Sequence, residues 1–326
     1  MTRIWELDAA SYRPHALHGQ DRAWRETNCY VDLWIELLHA QGLDPVAALP
    51  FTLASDFEGD QWTFFKYPLD DLRTLYGLEV HELNLWQPDG LVGHIEEQVA
   101  QGRPVIVEVD SFYLPDTQGV SYQREHTKTS VAVQEIDPAG RRLGYFHGPG
   151  YFQIEGADYA GLFRLDRASD PTWLPPYVEI VKLHALQRPG PEELKRRAID
   201  LVRLHLHRRP ATNPFARYRK RFERDLEALR ARPIAYFHLY AFATLRQLGA
   251  NFELASTFLR WLEEHGEGGL APAAAQFASI AEIAKSLMLK LARAVMHKKP
   301  LDVAPFVALE EAWDRAMQDL IARYGG

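Results

Sequence analysis

Glu26-Thr27-Asn28-Cys29-Tyr30-Val31-Asp32-Leu33-Trp34 carries the chain's one cysteine at the head of a helical pattern. Thr27 and Asn28 are residue types that cap helix N-termini, and Val31, Trp34, Ile35 and Leu38 recur at helical spacing. The pattern therefore predicts a helix over 29–41 that stops at Gly42. A thiol at that position meets the positive end of the helix dipole and unpaired backbone N–H groups. Both favour a thiolate and can stabilise an oxyanion beside it. The bland reading of a lone cysteine is a small buried hydrophobe, so the residues downstream decide between the two.

Those residues mix short helices with strands. Helices are predicted over 69–76 and 90–101, and a strand over 77–83. Pro104-Val105-Ile106-Val107-Glu108-Val109 has the β-branched run of a buried strand, and Thr129-Ser130-Val131-Ala132-Val133-Gln134-Glu135-Ile136 is a second. Asp137-Pro138-Ala139-Gly140 is a turn, 142–146 its returning strand, and Gly148-Pro149-Gly150 a further break. A last strand is expected over 175–181, and Arg188-Pro189-Gly190-Pro191 closes this part. Beyond it the pattern is helical throughout: 192–207, 214–231, 234–248, 252–264, 272–296 and 303–324, separated by proline and glycine. The expected architecture is α+β for residues 1–187, followed by an all-α helical bundle over 191–326.

A chain of 326 residues has room for two domains of ordinary size. Its 47% hydrophobic and 25% charged residues are those of a folded globular protein. A single cysteine forms no internal disulfide, the N-terminus carries acids rather than an apolar leader, and no run reaches the roughly 18–20 apolar residues of a membrane span. A cytoplasmic protein without a membrane partner is expected. The net charge of −7 argues against nucleic acid, yet 195–232 holds thirteen Lys/Arg against four acids, which suits an acidic partner. Arg217, Lys220, Arg221 and Arg224 follow i, i+3, i+4, i+7 spacing and form one helix face, with Arg219 beside it. Phe215, Tyr218, Phe222, Leu226 and Leu229 would pack opposite. No P-loop, dinucleotide fingerprint or Cys/His zinc set occurs, so no metal is expected. Asp56, Glu58 and Asp60 alternate as in a calcium loop, but the closing glutamate is missing. His205 and His207 read as a solvated helix end, and His238 as a core histidine.

A nucleophilic cysteine needs a base brought near by the fold. His126, just before the 129–136 strand, is the best placed of the thirteen histidines. A cysteine starting a helix and a histidine starting a strand form the papain-type arrangement, in which helix and antiparallel sheet hold thiol and imidazole face to face. The group orienting the imidazole normally stands at the end of the next strand, which here falls on His147.

The run Gly102-Arg103-Pro104-Val105-Ile106-Val107-Glu108-Val109-Asp110-Ser111-Phe112-Tyr113-Leu114-Pro115, with His126 and its strand, resembles the butirosin-biosynthesis-H N-terminal family over roughly residues 28–159. The helical half resembles that of bacterial proteins with the same two-part arrangement. The resemblance implies a papain-like cysteine acyltransferase of specialised metabolism. It would take an acyl or aminoacyl group from the phosphopantetheine thioester of an acidic carrier protein and pass it to an amine acceptor, a small molecule or amino acid, with no cofactor of its own. It implies Cys29 as nucleophile and His126 as base, and departs from the family at His147-Gly148-Pro149, where an aspartate is usual. Either His147 orients His126, or Asp110 or Asp137 does. Asp137 also reads as turn chemistry, and Asp110 as a cap on the following turn.

Gln20 and Asn28 are the candidate oxyanion donors. The family's site-lining loop falls on 56–66, where Asp56, Glu58, Asp60, Gln61 and Trp62 would meet substrate together with Asp110 and Tyr113. Two other readings stand beside acyl transfer. One is a papain-like hydrolase, either peptidase or thioesterase; the other is an inactive papain-like binding subunit, favoured by the histidine at 147.

Overall fold

The computed structural model describes every residue except Pro88, Ser169, Pro171, Trp173, Lys299 and Gly326. The chain is α+β, with an antiparallel sheet in its first half and a helical second half. It divides into two compact units. The first comprises Met1–Gly19, Asn28–Leu43 and Leu72–Arg188; the second comprises Gln20–Thr27, Asp44–Asp71 and Pro189–Gly326. Two stretches of the chain's first quarter therefore belong to the helical unit.

In the first unit seven strands form one sheet: β1 (Thr2–Arg3), β2 (Glu79–Asn84), β3 (Val105–Asp110), β4 (Lys128–Asp137), β5 (Arg142–His147), β6 (Gly150–Glu155) and β7 (Tyr177–Lys182). Their order is β2-β7-β3-β4-β5-β6, all pairs antiparallel, with β1 added beside the far end of β4. Paired residues share a face, and alternate residues along a strand change face. Val105, Val107 and Val109 of β3, Val131 and Val133 of β4 and Tyr145 of β5 point one way, into a core closed by α3 (Leu91–Ala100) and α4 (Gly156–Leu162). Ile106, Ala132, Phe146 and Tyr151 lie in register on the other face.

That second face is covered by α1 (Cys29–Ala40), which packs on β4, β5 and β6; the next helix in the chain, α2 (Leu69–Tyr76), forms where the sequence predicts it. Tyr12 ties the two together: its ring meets Phe146 and Tyr151, and its hydroxyl donates to Glu36 of α1 at 2.6 Å. The expected break at Gly148-Pro149-Gly150 is the tight turn of the β5–β6 hairpin, with Gly148 at φ +46°, so the chain continues as a strand.

In the second unit the helices are α5 (Pro191–His207), α6 (Pro214–Arg230), α7 (Ala235–Ala241), α8 (Gln247–Glu264), α9 (Ala271–His297) and α10 (Ala304–Tyr324). The apolar face expected for α6 is buried at Phe215, Tyr218, Phe222 and Leu229. The expected split at Gly249 does not occur. A π-helical turn, Phe242–Arg246, joins α7 to α8, where the Trp62 N–H bonds the Ala243 carbonyl at 3.0 Å. Gly249 lies inside α8, and a Cβ there would stand 2.3 Å from the Trp24 indole, so its glycine serves a close approach. His205, expected in solvent, is buried and pairs with Asp71 at 2.6 Å; His238, expected in the core, is exposed. Among the described residues no helix is long and apolar enough to cross a membrane.

Candidate active site

Cys29 is the first residue of α1. Asn28 is the cap: its backbone is extended, and its side-chain oxygen accepts from the Val31 N–H at 3.0 Å. That bond takes up the Val31 N–H, and the Asp32 N–H donates to the Asn28 carbonyl at 3.0 Å. The thiol is free and partly exposed, so it is not sealed in the core as the bland reading required.

His126 stands at the other end of the argument. Its Nδ1 donates to Asp110 Oδ2 at 2.6 Å, and its ring stacks on Phe112 with centroids 4.4 Å apart. Asp110 ends β3 opposite Lys128, which begins β4, so antiparallel pairing alone brings residues 110 and 126 together. Because Nδ1 faces the carboxylate, Nε2 is the nitrogen left to accept a proton. The other oxygen of Asp110 caps the next turn by accepting from the Phe112 N–H at 3.0 Å. One carboxylate thus performs both roles weighed for it. Tyr113 lies 6.5 Å from the His126 ring, measured between centroids.

His147 does not contact His126, which corrects the expectation that it orients the base. It lies on the opposite sheet face, with Nδ1 donating to Asp116 at 2.5 Å and Nε2 accepting from Thr129 Oγ1 at 2.8 Å. The parity of β5 explains this: Phe146 faces α1, so its neighbour His147 cannot. Asp137 caps its own turn through the Gly140 N–H, as turn chemistry predicts.

Register places α1 and the Asp110–His126 pair on one side of the sheet. Tyr30, next to Cys29, donates its hydroxyl to Glu179 of β7 at 2.7 Å. Glu179 is paired with Ile106, and Asp110 is four residues along the same strand, on the same face. Burial, and then the neighbouring Glu179, push the Tyr30 hydroxyl well above its ordinary value, so it remains a donor.

The other candidates distribute differently. Gln20 is exposed and belongs to the second unit. The amide oxygen of Asn28 is committed to the cap. Asp56 pairs with Arg217, and Glu58 accepts from the Thr63 hydroxyl at 3.2 Å. Trp62 is buried among Phe57, Phe215, Tyr218 and Phe252, a core position rather than a pocket wall. Asp60 and Gln61 line a groove of about 360 Å³ between α6 and α7. All of these loop residues belong to the second unit. The arginine face of α6 is also largely committed. Besides the Arg217 pair, Arg219 binds Glu310 and Arg221 binds Asp225, leaving Lys220 and Arg224 as exposed cations that make no ion pair among the described residues.

Sequence reasoning missed a buried ionic cluster on α1. His18 Nδ1 bonds Glu36 at 2.5 Å, its Nε2 lies 3.3 Å from Asp32, and the His15 N–H donates to Glu36 at 3.0 Å. Burial opposes a charge on His18, but hydrogen bonds to Asp32 and Glu36 outweigh it and push the imidazole up to about 9. Two acids four residues apart inside the apolar run 31–38 were the available signal, since buried carboxylates require a partner.

Fold and site together define a two-part α+β protein with a cysteine-headed helix on one sheet face and a carboxylate–histidine pair on the same face. Residues 13–183 match the DUF1839 N-terminal domain and residues 191–322 the DUF1839 C-terminal domain, and the chain belongs to that family. No curated protein matches it.

Proposed function

We propose that the first unit is a papain-like cysteine acyltransferase with Cys29 as nucleophile, His126 as general base and Asp110 as the group that orients it. The observation carrying this reading is the 2.6 Å bond from His126 Nδ1 to Asp110, on the sheet face that α1 covers. It supplies the carboxylate whose expected place is taken by histidine at 147, so the argument for an inactive scaffold loses its ground. The resemblance of residues 28–159 to carrier-protein acyltransferases supports a thioester donor and an amine acceptor.

In the reaction, His126 Nε2 takes the thiol proton and the Cys29 sulfur attacks the thioester carbonyl. The Cys29 backbone N–H would hold the oxyanion together with a second donor. Collapse breaks the donor carbon–sulfur bond, and the departing phosphopantetheine thiol receives the proton from His126. An amine then attacks the acyl-enzyme, His126 collects the amine proton, and Cys29 leaves carrying it. No oxidant or metal enters the balance.

Incubation with acyl- and aminoacyl-carrier proteins without acceptor, followed by mass spectrometry, tests the proposal. An acyl adduct should appear on the Cys29 peptide, discharge on adding an amine, and vanish in Cys29→Ala. An adduct on another residue, or none with any thioester, would refute it.

A further inference from the structure

Asp110 and His126 are the two ends of one loop. Residue 111 leaves the end of β3 and residue 127 returns to it, with the Ser111 N–H and hydroxyl both donating to the Thr127 carbonyl, at 2.9 and 3.0 Å. Inside the loop, Thr117 Oγ1 donates to the carbonyls of Ser111 and Leu114, and the Gln123 N–H to that of Phe112. The ring stacked on His126 is therefore held by the loop's own bonds.

The loop then curls round the end of the sheet and is fastened on the other face. Asp116 is its anchor, with both oxygens used: Oδ1 accepts from the Tyr145 hydroxyl at 2.5 Å and Oδ2 from His147 Nδ1 at 2.5 Å. Burial, and then Asp116, push the Tyr145 hydroxyl well above its ordinary value, so it is a permanent donor. The second nitrogen of His147 accepts from Thr129, three residues after His126. One buried imidazole thus holds the outgoing leg of the loop through Asp116 and the returning leg through Thr129. This geometry exceeds what a turn of this kind needs, because the loop already closes through Ser111 and Thr127.

We infer that His147 is a positioning residue for His126, stapling the two legs of the 111–127 loop so that Phe112 and Asp110 hold the imidazole with Nε2 outward. The inference rests on the proposed role of His126. Removing the staple leaves the outgoing leg held to the sheet by the Tyr145–Asp116 bond and uncouples it from the returning leg, and the His126 ring then exchanges its Asp110 bond for water.

Heteronuclear NMR of isotope-labelled histidine in the full chain reads this directly, because it reports which ring nitrogen carries the proton. Wild-type His126 should show the Nδ1–H tautomer. In His147→Leu the tautomer ratio should move about tenfold toward Nε2–H, the scale of losing one charge-assisted hydrogen bond. His147→Asn, whose amide can still donate to Asp116, should stay within about twofold of wild type by the same reasoning. Should His147→Leu fail to fold, Thr129→Val cuts only the returning leg and should shift the ratio in the same direction. An unchanged His126 tautomer in the folded variants, or an equal shift in the Leu and Asn variants, overturns the inference and leaves the acyltransferase reading standing. A wild-type His126 already in the Nε2–H form overturns both.

Discussion

Replacing His18 by glutamine should remove a pH dependence that the buried cluster on α1 imposes on the first unit. The imidazole is held at about 9 in the fold against an ordinary value near 6.5, because the bonds to Asp32 and Glu36 outweigh the burial that opposes its charge. A folded value raised above the unfolded one favours folding fully below pH 6.5, less as pH rises, and not at all above pH 9. At 1.36 kcal/mol per unit, the difference amounts to about 3 kcal/mol. Glu36 acts in the opposite direction at acid pH: burial works against its charge, but His18 holds it below the usual carboxylate range. Hydrogen exchange of peptides from α1, corrected for intrinsic rates, measures this locally between pH 6.5 and 9. Wild type should lose about 3 kcal/mol of protection across that window, and His18→Gln should lose none of it. The variant should also begin lower at pH 6.5, since Asp32 and Glu36 lose the imidazolium between them. Groups outside the cluster that titrate in the window act alike in both proteins, so the difference in slope belongs to His18 and the carboxylates it holds. Equal slopes in wild type and variant would refute the reasoning.

Gly249→Ala should lower the melting temperature of the second unit, although alanine is the better helix former by about 1 kcal/mol. The new Cβ would meet the Trp24 indole at 2.3 Å, and overpacking of that kind costs about 1–3 kcal/mol; a higher melting temperature would show that Trp24 moves aside freely. Charge reversal at Lys220 and Arg224 should weaken binding of an acidic carrier protein, with a loss that shrinks as salt is raised, while sparing reaction with a small thioester. Reversal at Arg219 should instead act through its pair with Glu310 and change stability by about 1 kcal/mol or less, as partly exposed pairs do; calorimetry and a binding titration separate the two cases.

Periodicity made most of the helical half legible, because its helices are long, amphipathic and punctuated by proline and glycine. Gly249 was misread on the same logic: a glycine inside a helical pattern marks either a break or a close approach, and only the position of Trp24 decides. The assignment of 44–71 to the helical unit was invisible, since the aromatic side chains of Phe57 and Trp62 do not announce that Phe215, Tyr218 and Phe252 will receive them.

The candidate site shows a similar limit, and in this case the sequence held enough to go further. Cys29 and His126 were found from residue type and from their places at the heads of a helix and a strand. For the third group the papain-type arrangement favours His147, after His126, with Asp110 and Asp137 as the alternatives. Antiparallel pairing of two β-branched runs already on the page selects Asp110 among them. Aligning 104–109 against 129–136 across one loop places Asp110 opposite Lys128, two residues from His126. Strand parity then assigns Asp110 to the face of Ile106, under α1, and His147 to the face of Tyr145, away from it. A residue's order in the chain says which strand carries it; its parity on that strand says which chemistry it can reach.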